Sequence, residues 1–183
     1  MGNEANLIEK FKELQILKAP VKEGKIVIPA KIQEHPVFRI KDEAFKNKKA
    51  IREIDFGKSL KNIGKEAFSG CVNLKEILLP WNVKVIEQNA FANCTQLKKV
   101  TIQDGVTHIA ERAFARCQSL EKIFIPDTVG MMEDAVFEGC EKAVIACVKD
   151  SFAHQYAVKN QISFEIVKPR SDRWMNLLKS KLR

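Results

Sequence analysis

The chain has 183 residues, of which 45% are apolar and 30% charged, and it carries a formal charge of +8. That composition belongs to one folded domain or a short array with a substantial core, and it excludes a disordered chain. No apolar run reaches the roughly 20 residues that a membrane helix requires. The charge is also uneven. Residues 1–50 hold 11 Lys/Arg against 7 Asp/Glu, residues 51–167 hold 14 against 15, and residues 168–183 hold 6 against 1. The body is therefore close to neutral and the excess sits at the ends, which argues against a phosphate-tracking groove on the body.

The opening stretch, MGNEANLIEKFKEL, is too charged for the apolar core of a secretory signal. Asn6 stands where a myristoylation signal would place Ser or Thr. A cytoplasmic location is expected for the chain as given, and a cell-surface or secreted one if a signal was removed from it. Asn6 and Glu9 form a helix-starting cap, and Leu7, Ile8, Phe11 and Leu14 share one apolar face. Residues 1–23 are thus expected to form an amphipathic helix that covers the start of the fold.

From residue 37 onward the sequence repeats. Phe45, Phe68, Phe91, Phe114 and Phe137 recur every 23 residues, preceded by Ala44, Ala67, Ala90, Ala113 and Val136. The same step carries Ile40, Ile63, Ile86, Ile109 and Met132, and also Cys71, Cys94, Cys117 and Cys140, with Lys48 in the first copy. Ile54, Ile77, Val100 and Ile123 make a further column, as do Phe56, Leu79, Ile102 and Ile125. Apolar columns in one unbroken register mean coils that bury themselves only by stacking. Within each copy, strings such as LKEILLP and LKKVTIQ alternate apolar and polar residues, which predicts a strand with one buried face. The other part, as in IGKEAFSGC, predicts about one turn of helix. It ends at Asn47, Gly70, Asn93, Arg116 or Gly139, where a left-handed residue is expected and Arg116 fits least well.

Four cysteines at one period could be metal ligands, disulfide partners or core. Paired C-x-x-C spacing is missing and His35, His108 and His154 are scattered, so no metal site is expected. Side chains in one column point the same way, which is poor disulfide geometry. Buried reduced thiols acting as small apolar groups are expected instead. H-E-x-x-H, G-x-S-x-G and a phosphate-cradling glycine loop are all missing. No catalytic residue, cofactor or small-molecule substrate is expected.

The pattern I-x-x-x-A-F-x-x-C-x-x-L-x-x-I-x-I-P resembles the BspA-like, bacterial surface-antigen type of leucine-rich repeat, matched almost position by position by IGKEAFSGCVNLKEILLP and IAERAFARCQSLEKIFIP. GKIVIPAKIQEHPVFRIKDEAF (24–45) resembles the family's entry into the first coil. DSFAHQYAVKNQISFEIV (150–167) is similar to its closing segment, a short helix and then a strand. The resemblance implies an α/β repeat: a right-handed solenoid of about five 23-residue coils, its short strands in a parallel sheet, capped by helices at both ends. The expected divisions are the N-terminal cap (1–23), the solenoid (24–148), a C-terminal cap (149–167) and a basic amphipathic helix (168–183). For function it implies adhesion or protein binding with no shared active site.

On that arrangement the outward strand residues form columns of their own, among them Glu76, Lys99 and Lys122, then Leu78, Thr101 and Phe124, with Trp81 just beyond the strand. Leu78, Trp81 and Phe124 are large apolar groups where the repeat requires none, and with their polar surround they make a candidate partner-binding face. Scattered single apolar residues on a surface are the plainer alternative. The tail, KPRSDRWMNLLKSKLR, aligns Trp174, Leu178 and Leu182 on one face. Arg173, Lys179, Lys181 and Arg183 lie elsewhere on it, offering contact to this chain, to a partner, or weakly to an acidic membrane or nucleic acid.

Overall fold

Residues 15–16 and 21–168 are described by a computed structural model. In chain order the strands are β1 (Gln15–Ile16), β2 (Val21–Lys22), β3 (Lys25–Val27), β4 (Lys31–Ile32), β5 (His35–Pro36), β6 (Arg39–Ile40), β7 (Glu53–Asp55), β8 (Asn62–Ile63), β9 (Glu76–Leu79) and β10 (Val85–Ile86). They continue as β11 (Lys99–Ile102), β12 (His108–Ile109), β13 (Lys122–Ile125), β14 (Met131–Met132) and β15 (Val144–Val148), followed by helix α1 (Phe152–Lys159) and β16 (Phe164–Val167). The chain winds as a solenoid in which each coil lays one strand on each of two parallel ladders. One ladder runs β1-β6-β8-β10-β12-β14; the other runs β16-β15-β13-β11-β9, with β3 and β7 paired in parallel beyond it.

The 23-residue period is the register from β6 to β14 on the first ladder and from β9 to β13 on the second, and β15 then joins β13 one residue short, with Ile145 opposite Ile123. Lys99 pairs with Glu76 and Lys122, and Ile86 pairs with Ile63 and Ile109. Six turns are present rather than about five. The additional one is the entry turn, where β3 pairs with β7 at Lys25 and Glu53, 28 residues apart. The extra residues sit in the β4–β5 hairpin, which projects between β3 and β6 and hides the period from a fixed-step reading.

The expected turn of helix in each copy is replaced by something more regular. Along 64–71 the backbone N–H groups of Ala67, Ser69 and Cys71 donate three residues back, to Gly64, Glu66 and Phe68. The intervening N–H groups of Glu66, Phe68 and Gly70 donate forward to Gln88, Ala90 and Ala92 of the next coil, at 2.8–2.9 Å. An α-helix would spend all its donors within its own turn. Here half of them are aimed out of the coil, and that orientation requires left-handed residues at two places per coil. One set is Asn47, Gly70, Asn93, Arg116 and Gly139, as expected, with Arg116 adopting φ 58° like its neighbours. The other is Glu43, Glu66, Asn89, Arg112 and Ala135. Because that column shares no residue type prone to this conformation, the sequence does not announce it. Ile40, Ile63, Ile86, Ile109 and Met132, read as part of the helical segment, lie instead on the second ladder.

Between the ladders the apolar columns fill the interior. The five recurring phenylalanines stack in one row, with centroids 5.1, 5.3, 5.5 and 5.9 Å apart and planes within 12° of parallel. Cys71, Cys94, Cys117 and Cys140 are buried and reduced. Each thiol donates to the carbonyl oxygen of the phenylalanine one coil back, at 3.2, 3.3, 3.2 and 3.1 Å. The column therefore needs a small apolar side chain that can also donate a weak hydrogen bond, and cysteine supplies both.

At the far end α1 closes the stack. Ser151 caps it by accepting from the His154 N–H, and Ala153, Tyr156 and Ala157 face the core. The Tyr156 ring meets Phe137 edge-on at 6.3 Å, and its hydroxyl accepts the Val136 N–H at 3.1 Å. β16 then pairs in parallel with β15. At the near end, β1 and β2 are what the described residues show of the region expected as an N-terminal helix. Leu7, Ile8, Phe11 and Leu14 lie outside the described residues.

Three outcomes are expected. Phe91→Ala removes the middle ring of the row and should cost about 3–5 kcal/mol in denaturant unfolding. Arg116→Gly should raise stability by about 0.5–1 kcal/mol, since relief of left-handed strain outweighs the added chain entropy. Burial pushes the Cys71 thiol from its ordinary 9.0 up to about 12. A thiol pKa raised by folding stabilises the protein below the ordinary value, and that contribution is lost as pH rises through about 12. Unfolding titrations between pH 9 and pH 12 should show a shallower loss of stability in Cys71→Ala than in the native sequence.

Candidate functional site

Inward residues of the strands are committed to the core, so the chemistry the fold can present lies on their outward faces. Period-2 alternation sends Ile77 and Leu79 inward and Glu76 and Leu78 outward, and the ladder repeats the choice on every neighbouring strand. Pairing then assembles rows across the sheet. Leu78 is opposite Thr101, and Thr101 is opposite Phe124. Glu76 is opposite Lys99, and Lys99 is opposite Lys122. These six candidate residues are thus brought together on one surface. Leu78 is 55% exposed, while Thr101 and Phe124 are half-buried.

Trp81 is placed differently. It follows Pro80 in the turn leaving β9, at the rim of the face rather than in either row, and is 59% exposed. Its backbone is tightly held. The Trp81 N–H donates to the Gln103 side chain at 3.1 Å, and the next coil presses against its carbonyl at Gly105. With φ at +143°, Gly105 could not accept a side chain, because a Cβ there would lie 1.7 Å from the Trp81 oxygen. The neighbouring Asn82 is fully buried and donates to the carbonyls of Leu60 and Gly57. Trp81 therefore offers its indole from a backbone fixed by the coils on either side.

An open groove of about 570 Å³ runs over β7, β9 and β11, lined by Lys25, Glu53, Asp55, Glu76, Leu78, Pro80, Lys99, Thr101 and Gln103, among others. Lys25 reaches in from β3, 2.7 Å from Glu53 and 4.0 Å from Asp55. The hydrogen bond to Glu53 holds the Lys25 ammonium above its ordinary pKa. On the opposite side of the face Lys122 pairs with Glu165 of β16 at 2.5 Å. Lys25, Val27 and Glu165 share this surface yet do not appear among the columns of the 23-residue period. The string KIVIP, which ends like EILLP and KIFIP, is the signal that places Lys25 and Val27 on an entry strand. Glu165 arrives only through the α1 crossover, for which the repeat offers no signal.

Among the described residues no group of three or more His, Cys, Asp or Glu side chains is arranged to hold a metal ion. No described helix is long and apolar enough to cross a membrane. The tail residues Arg173, Trp174, Lys179, Lys181 and Arg183 lie outside the described residues.

Two solved structures share this architecture. A leucine-rich repeat protein of T. pallidum (TpLRR) superposes with a TM-score of 0.66 at 25% identity, over 70% of this chain and 61% of that one. The pneumococcal vaccine antigen PcpA superposes with a TM-score of 0.63 at 15% identity, over 84% of this chain and 44% of that one. The chain thus spans less than two thirds of the length of either, and the second likeness speaks to fold alone. No curated protein gives a significant sequence match. The BspA-type leucine-rich repeat region matches residues 24–144 in six copies, the number of turns in the solenoid. With its phenylalanine row, its thiol ladder and its paired parallel sheets accounted for by that repeat, the chain belongs to the BspA-type leucine-rich repeat family.

Proposed function

We propose that the chain is a non-enzymatic protein-interaction module whose partner surface is the outward face of the β9-β11-β13 sheet. The repeat fold itself supports a protein-interaction scaffold. The observation that carries the finer reading is the exposure of Leu78 and Trp81, 55% and 59%, at positions where the stack has no use for an apolar group. An exposed Leu and Trp cost solubility without adding to the core. Flanked by Glu76, Lys99 and Lys122, they have the make-up of an interface: apolar centre, polar rim. Phe124, half-buried two strands over in the Leu78 row, extends the apolar part. Trp is among the residues that most often dominate binding energy, and a rigid backbone lowers the ordering cost on association.

The test separates binding from folding. Leu78→Ser with Trp81→Ser should leave thermal unfolding nearly unchanged, because both side chains are exposed. Capture of a partner from the source cell should weaken by about tenfold or more, the loss expected of an aromatic anchor. Adding Phe124→Ser should deepen that loss at some cost in stability. Unaltered capture by the double variant would remove this face from consideration.

A further inference from the structure

The outward face is charged in a definite order along the solenoid axis. On β7 and β9 stand Glu53, Asp55 and Glu76, with Lys25 from β3 beside Glu53 and Asp55. One positive against three negative charges leaves this end at −2. On β11, Lys99 begins a positive end, whereas Lys122 beyond it is engaged by Glu165. Glu76 and Lys99 occupy directly paired positions on neighbouring strands, yet among the described residues neither has an ion-pair partner within 4.0 Å. Leu78 lies between them and the rim, half exposed. A single groove thus presents carboxylates, an apolar side chain and an ammonium group.

We propose that this groove binds an extended peptide segment of mixed charge that runs across the strands. A basic residue sits over Asp55 and Glu76, an acidic residue two positions along sits over Lys99, and a flanking apolar side chain rests on Leu78. The proposal rests on the reading of this face as an interaction surface. The two-residue spacing follows from the sheet. β9 and β11 pair about 4.8 Å apart and Asp55 lies on the far side of β9, so a cation drawn between Asp55 and Glu76 sits about 7 Å from β11. That is the distance between alternate residues of an extended chain, which also point to the same side. The charge order selects as well as attracts. A uniform polyanion such as a nucleic acid backbone meets Asp55 and Glu76, and a uniform polycation meets Lys99.

A phage-displayed library of random linear peptides, selected in parallel on the native protein and on Glu76→Lys, Lys99→Glu and Leu78→Ser variants that melt normally, tests it. The native face should enrich Lys or Arg followed two residues later by Asp or Glu. Lys99→Glu should shift the preference to two basic residues, and Glu76→Lys to two acidic ones. Each shift should be about two- to fivefold per charge, the size of an exposed ion pair. The same charge pattern on all four proteins, or no enriched pattern on the native one, would overturn the proposal. If Leu78→Ser abolishes enrichment while the charge variants leave the pattern unmoved, the face still binds peptides and the mixed-charge partner is wrong. If Leu78→Ser changes nothing either, the reading of the face falls with it.

Discussion

One spacing governs this molecule: the rise from coil to coil must suit hydrogen-bonded strands, hydrogen-bonded turns and stacked rings at once. Parallel strands set it near 4.8 Å. The forward-donating N–H groups of the turns, such as Phe68 to Ala90 at 2.8 Å, hold the opposite side of the coil to the same rise. The phenylalanines adapt by stacking obliquely, their centroids 5.1–5.9 Å apart, within the range favoured by offset aromatic pairs. A residue inserted inside a coil would break all three sets of contacts together. Insertions are tolerated where the chain leaves the stack, and the β4–β5 hairpin is one such place.

A stack with such uniform rungs has no internal reason to stop, and its last coil would leave donors and aromatic surface unmatched. The C-terminal end shows how that is handled. In the inner coils the residue before each phenylalanine donates within its own turn, as Ala113 does to Ala110. In the last coil Val136 donates instead to the Tyr156 hydroxyl, while the same ring closes the phenylalanine row with an edge-on contact. One side chain of α1 thus satisfies a backbone group and covers the terminal ring. Its pairing with β15 makes β16 the final strand of that sheet.

The division of labour between the two faces of each strand explains why a rigid repeat can carry a specific surface. Inward positions are bound to one residue class by packing at near-crystalline density. Outward positions are free, and here they change from coil to coil: Glu76, Lys99 and Lys122 in one row, Leu78, Thr101 and Phe124 in the next. Stacking converts residues 23 apart in sequence into neighbours on one surface. A site of this kind is written across coils, with no local motif to mark it.

By itself, the sequence determined whatever repeats. The apolar columns, the strand alternation, the parallel register of the inner coils and the buried thiols all follow from the 23-residue period, because stacked coils leave each position in the same surroundings. Tertiary structure decided what the period does not encode. The turn segments resemble helix in their apolar spacing, yet half their donors are drawn to the next coil, an attraction that exists only once a next coil is present. The left-handed column from Glu43 to Ala135 has no common residue type, so its conformation is imposed by those inter-coil bonds. Lys25, Val27 and Glu165 join the outer face from segments where the step differs from 23, by the length of a hairpin or the passage of a helix. The rows of the candidate face were legible as columns, whereas their charge order, the groove over β7, β9 and β11, and the place of Trp81 at its rim depend on distances that arise only when the coils are packed.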